Sequence, residues 1–269
     1  MSGESGRSSA ESDKRSQINI LSFHKLSLHL SFGSTNYSPA RFGRLIERLE
    51  SGGFTFLPLT EVVAKPDQES VAVCFDDGYA HLTHYLPPLM DKYGIEPTIF
   101  VPTGYLGKPN NWDYSHIFRT ERHLSGEEIR QLADRGVSFG SHGHSHCDLT
   151  ALSAERVRSE LADSKRILED ILGREIATIS YPFGRFNQRV MEAAESAGYR
   201  YGFTMSYPED VDTALGLGRF PIYFYDSPRS VLRKLRRGRL YRFEKSRARF
   251  TNKLSGGTVL FNRLRRLRG

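Results

Sequence analysis

The sequence predicts an α/β fold with a parallel sheet or barrel, and three observations predict it. Short apolar runs such as "SVAVCF" (70–75) and "TIFV" (98–101) alternate with longer amphipathic stretches. Runs apolar at nearly every position suit strands buried on both faces, as in a parallel sheet. Polar clusters follow the runs instead of breaking them: Asp76-Asp77, His142 to His146, and Tyr181-Pro182-Phe183-Gly184. The carboxyl ends of parallel strands share one face, where sites are built. Clusters far apart in sequence are therefore expected to meet there.

The elements follow in order. Residues 18–24 read as the first strand. In "SPARFGRLIERLE", Phe42, Leu45, Ile46 and Leu49 fall at helical spacing, and Gly52 and Gly53 end that helix. "SVAVCFDDG" is a second strand that ends in two carboxylates, and "EPTIFVPTG" is a third. "SGEEIRQLADRG" opens with a capping box, Ser125 and Glu128, and stops at Gly136. "VSFGSHGHSH" reads as strand then loop. Val157, Leu161, Ser164, Leu168 and Ile171 form one stripe of a helix that ends at Gly173. The strand of "IATISYPFG", the helix "QRVMEAAESAG" and the strand "YRYGFTMS" complete the series, with no internal repeat.

The chain of 269 residues is long enough for one such domain, and no run approaches the ~18 apolar residues of a membrane span. Residues 1–17 are rich in Ser, Gly and charge and are expected to be a disordered leader, not a secretory signal. Cys74 and Cys147 give no disulfide framework, so a cytoplasmic location is expected. The net charge of +7 is uneven. Residues 229–269 hold 15 Lys/Arg against Glu244 alone, which is +14 and leaves −7 on the rest. We therefore expect a folded body over 18–228 and a basic tail over 229–269. Arginines interleaved with leucines suit a short amphipathic helix on an anionic membrane surface, here the inner face. No nucleic-acid motif accompanies the charge, so nucleic acid is not an expected partner.

Two adjacent aspartates at a strand end point different ways, so one can hold a metal while the other faces a substrate. The same Asp-Asp-Gly also makes an ordinary turn. His142 and His146 are four apart, a spacing that lets two imidazoles converge on one ion. With a carboxylate from another strand end they make a three-ligand set for Zn²⁺ or a neighbouring transition metal, with a position left for water. Zinc is the expected ion; cobalt, nickel, iron and manganese are the alternatives.

In this order, and on a βα pattern, "CFDDG", "SHGHSH" and "SYPFG" resemble the motifs of the polysaccharide deacetylases of carbohydrate esterase family four, the NodB homology domain. The resemblance spans residues 18–228 and extends to "LSFHKLS", "IFVPTGYLG", "NWDYS" and "RFPIYFYDS". It implies a distorted (β/α) barrel of about seven parallel strands, a bound divalent metal, and hydrolysis of N- or O-acetyl groups from sugars; with the basic tail and the cytoplasmic reading, the expected substrate is a glycan or lipid-linked glycan precursor. By the resemblance, Asp76 is the general base and Asp77, His142 and His146 are the metal ligands. The backbone of Phe183 in "YPFG" is implied at the developing oxyanion, with Tyr181 and Trp112 as candidate substrate contacts.

The chain departs from the family pattern in two places. The family takes its general acid from a late histidine, yet none of the nine here follows His146. His24 ends the first strand and resembles the "YH" strand ending of the exopolysaccharide de-N-acetylase branch, where an early histidine is the acid. Ser180 also stands where the family's third motif carries an arginine that steadies the base. These gaps leave a second reading, a weak or inactive relative that binds glycan. Among the remaining candidates, His144 is an alternative ligand and Cys147 reads as an inert buried thiol. Asp226 contacts His24 or substrate, or caps a strand end, and His81 and His84 fall on a helix surface.

Overall fold

The computed structural model describes residues 18–28, 35–110, 121–210, 213–239 and 241–248. Its strands are β1 (Ile20–Phe23), β2 (Lys25–Leu26), β3 (Asn36–Tyr37), β4 (Thr55–Phe56), β5 (Ser70–Phe75), β6 (Thr98–Val101), β7 (Ser138–Ser141), β8 (Thr178–Ser180), β9 (Tyr201–Phe203) and β10 (Phe220–Pro221). The helices are α1 (Pro39–Glu50), α2 (Leu59–Ala64), α3 (Leu82–Tyr93), α4 (Gly126–Asp134), α5 (Ala154–Leu172), α6 (Gln188–Ser196) and α7 (Pro228–Leu235). Seven parallel strands, in the order β10-β1-β5-β6-β7-β8-β9, curl into a distorted (β/α) barrel with the helices outside, as expected.

Local sequence explains most of these elements. Ser125 and Glu128 form the expected capping box at α4. Ser38 caps α1 ahead of Pro39, Ser153 caps α5, and Gly173 ends α5 with a left-handed φ of 63° that suits glycine. The short β2, β3, β4 and β10 and the helix α2 carry no clear periodicity and are seen only in the fold.

Side-chain alternation separates two cores. Val71, Val73 and Phe75 of β5 face outward and pack with Phe42, Leu45, Val157, Leu161 and Leu168 of the helices. Ala72 and Cys74 face inward with Ile20, Phe100, Phe203 and Leu217, and these fill the barrel. Both faces of the strand are thus buried, the cause of its continuous apolar run. The same period of two aims His24, Asp76, His142 and Ser180, each an even step from an inward residue, at the mouth of the barrel.

Residues 217–221 close the barrel. Phe203 bridges Leu217, and Phe220, three residues later, pairs with Leu21, so one short stretch joins β9 to β1. Gly218 permits this, because a Cβ there would lie 2.4 Å from the Tyr207 backbone.

The basic segment differs from expectation. Over its described part it belongs to the folded body: α7 packs beside α1, Lys234 is fully buried against Asp226, and Tyr241, Glu244 and Ala248 are buried too. Asp226 accordingly serves neither His24 nor substrate. Its carboxylate accepts from the Tyr223 N–H, Lys234 and Arg247, which fasten this segment to the barrel. Residues 1–17, 249–269 and Trp112 lie outside the described residues. No helix among the described residues is long and apolar enough to cross a membrane.

Candidate active site

The three expected ligands meet at the barrel mouth. Asp77 Oδ1 lies 3.5 Å from His142 Nε2 and 3.2 Å from His146 Nε2, and all three side chains are buried. Asp77 (φ 69°), His146 (φ 47°) and Phe183 (φ 59°) are three of the four non-glycine residues with left-handed backbone among those described. Such strain concentrates where geometry serves function.

The donor set fits a cation. His142 Nδ1 is 2.6 Å from the Ser180 carbonyl, which can only accept, so Nδ1 carries the proton. In the neutral ring Nε2 then turns a lone pair toward the Asp77 carboxylate. Two acceptors facing each other in a buried place call for a positive charge between them, and a carbonyl behind a ligating histidine is the usual support. Burial raises the Asp77 carboxyl, but the two histidine contacts outweigh it and hold it well below the usual range. Burial pushes both imidazoles down. At His146 it prevails, while at His142 the carboxylates of Asp77 and Asp76 raise the ring.

Asp76 sits beside this set, buried and ionised. The residue that secures it is one the sequence reading missed. Arg219 reaches up inside the barrel and grips Asp76 with two bonds of 2.8 Å, one to each carboxylate oxygen. Its remaining donors reach the Thr204 carbonyl at 3.0 Å and Ser180 Oγ at 2.8 Å. The Arg219 side chain is completely buried and its guanidinium lies 5.6 Å from the centre of the Phe100 ring. Burial raises the Asp76 carboxyl, but Arg219, followed by His142, lowers it further, so Asp76 stays ionised. Ser180, which stands at the expected arginine's position, is thus a partner of an arginine supplied from the barrel seam. The only sequence signal was a charged residue next to the apolar "FPIYF" run.

His24 follows β1 directly, next to the end of β5. The Asp76 N–H donates to the Phe23 carbonyl at 2.9 Å, which sets the ends of β1 and β5 side by side. The His24 Nδ1 is buried with no hydrogen-bond partner among the described residues.

Other candidates fall elsewhere. Tyr181, expected at the substrate, is a core residue: it shares the outward parity of Ile179, is fully buried, and donates to the Leu215 carbonyl at 2.8 Å. Phe183 lies at the site with its ring edge-on to His146, 4.8 Å between centroids. His144 turns away from the ligand set, Nδ1 3.0 Å from Thr103 Oγ1. Cys147 is a buried thiol in no disulfide and outside the set. His123, which the sequence reading did not single out, is buried behind the site with Nδ1 2.7 Å from the Asp77 carbonyl, and burial lowers it to about 4. It buttresses the Asp77 turn as a neutral ring.

A buried carboxylate and two histidines, a donor set that could hold a metal ion, thus stand at the mouth of the (β/α) barrel beside an arginine-held aspartate. Residues 64–202 match the family described as polysaccharide deacetylase, and the chain belongs to that family. YxkH of Bacillus subtilis is 30% identical over 200 residues, covering 72% of this chain and 66% of YxkH. A poly-beta-1,6-N-acetyl-D-glucosamine N-deacetylase of Staphylococcus aureus is 27% identical over 186 residues, covering 63% of this chain and 62% of its own. The chain thus matches just under two thirds of the length of these curated relatives. The Streptococcus pyogenes deacetylase PplD, solved with acetate, shares the fold with a TM-score of 0.70 and 24% identity, covering 81% of this chain and 97% of that one.

Proposed function

We propose that this protein is a metal-dependent hydrolase that removes N-acetyl groups from a sugar of a glycan or lipid-linked glycan precursor. The observation that carries the reading is the juxtaposition of an Asp-His-His donor set with a buried, ionised Asp76. Asp77, His142 and His146 would hold a divalent ion, zinc by the chemistry of the donors. Such an ion supplies Lewis-acid polarisation of the acetyl carbonyl and an activated water. Asp76 would accept a proton from the attacking water as the water oxygen adds to the carbonyl carbon. The Phe183 N–H faces the oxygen on which charge develops. The C–N bond then breaks, His24 gives a proton to the departing amine, and acetate and a free amino sugar result. The unpartnered Nδ1 of His24, on the strand end beside Asp76, favours it as the acid.

Acetate release from N-acetylglucosamine oligomers tests the roles. Asp76→Asn and His24→Ala should each lower the rate by about 10²–10⁴-fold with the fold and bound metal retained. Full activity in either variant would remove that residue from the mechanism. The glycan-binding alternative loses one of its two motives, because Arg219 occupies the missing arginine's place.

We also propose a cytoplasmic protein held at an anionic membrane surface through residues 249–269, which carry six Lys/Arg and no acid. That much charge near an anionic leaflet is worth about 1 kcal/mol per residue. Full-length protein should sediment with vesicles containing phosphatidylglycerol and not with neutral ones. Changing Arg263, Arg265, Arg266 and Arg268 to Gln should abolish this, and unchanged sedimentation would refute it.

A further inference from the structure

His142 and His146 are joined by three residues, Gly143-His144-Ser145, and each backbone N–H of these three has a partner. The Gly143 N–H donates to Ser141 Oγ at 3.1 Å. The Gly143 carbonyl accepts from the Thr103 N–H at 3.1 Å and from Ser164 Oγ at 3.0 Å, and the His144 carbonyl accepts from the Gly104 N–H at 2.8 Å. The two remaining N–H groups, of His144 and Ser145, both donate to one atom, Glu160 Oε2, at 3.1 and 2.8 Å. Ser145 Oγ donates to Glu160 Oε1 at 2.6 Å. Glu160 stands in the middle of α5, three residues after Val157 and one before Leu161, on the face turned to the core, and is 6% exposed.

A carboxylate is costly to bury unless its lone pairs are used. Here three donors use them, and all three belong to the loop that spaces the two imidazoles. An apolar side chain at this place would serve the helix packing as well, yet would leave two part-buried N–H groups without this partner. Glu160 touches neither metal ligand. It fixes the loop that carries them, with His146 held in a left-handed backbone one residue beyond Ser145.

We propose that Glu160 is a positioning residue for the metal centre: its carboxylate clamps the 143–145 loop and thereby sets the distance between the His142 and His146 ring nitrogens. The inference rests on the metal-binding reading above.

Zinc affinity of the full-length protein, measured by competition with a chromophoric chelator, reads this directly, with the melting temperature of the metal-free protein as the control for stability. Glu160→Asp withdraws the carboxylate by one carbon and Glu160→Ala deletes it. Each should weaken zinc binding by about 10–100-fold. Glu160→Gln retains an oxygen for the two N–H groups, and its amide can donate to the turned Ser145 hydroxyl, so it should stay within about threefold of wild type. Leu168→Ala, a core truncation on the same helix, should lower the melting temperature and leave affinity unchanged. Wild-type affinity in the folded Asp variant, or an equal loss in Leu168→Ala, would overturn the clamp. A wild-type protein that binds no zinc would instead refute the metal-binding reading on which it rests.

Discussion

Arg219→Met is expected to lower acetate release by about 10²–10⁴-fold, the range a positioned general base contributes, and to destabilise the protein as well. The Asp76 carboxylate is buried and both its oxygens are held by the Arg219 fork. Removing one partner of such a pair leaves an uncompensated buried charge, a loss of about 3–5 kcal/mol. In a domain of this size that corresponds to a melting temperature lower by about 10 °C. Arg219→Lys keeps the charge without the planar fork, so it should fall between wild type and Arg219→Met. Combining Arg219→Met with Asp76→Asn removes the charge that was left unpaired. The double variant should therefore be more stable than Arg219→Met alone, although inactive. A fully active Arg219→Met protein would show that the base needs no arginine here.

Asp77→Ala carries the other large effect. The wild type should hold about one transition metal per chain after reconstitution, as three-ligand catalytic sites do. The variant should lose that metal and lower acetate release by about 10³-fold or more. Asp76→Asn should separate the two properties, retaining metal while losing rate. Elemental analysis of the three proteins side by side decides the matter. No metal in the reconstituted wild type would end the hydrolase mechanism proposed here and bring the glycan-binding reading forward.

Much of the site could be read from the chain because its ligands sit in short motifs. Asp76 and Asp77 follow an apolar strand, and His142 and His146 lie four apart, so residue type and spacing gave a carboxylate-His-His set, and the family resemblance told Asp77 from Asp76. Tyr181 was misplaced although the information was at hand. It stands two residues after Ile179, and the strand alternation that aims Ser180 at the site turns Tyr181 to the outer core. The basic segment misled for a different reason. Its charge density suggested a solvated tail, but Lys234 and Arg247 are matched to Asp226, and pairing of that kind has no local signature.

The sequence by itself determined the order of the longer strands and helices, most of their caps and ends, and the two motifs whose residues meet as ligands. Each of these depends on neighbours within a few positions, through backbone hydrogen bonds and the periods of strand and helix. Only the tertiary structure decided what holds the ligands and the base. Arg219 is 143 residues from Asp76 and reaches it because residues 217–221 close the barrel in one register. Glu160 reaches the histidine loop because α5 packs across β7. A buried charge must find its partner somewhere, but where that partner lies depends on strand order and register, and no local pattern encodes them.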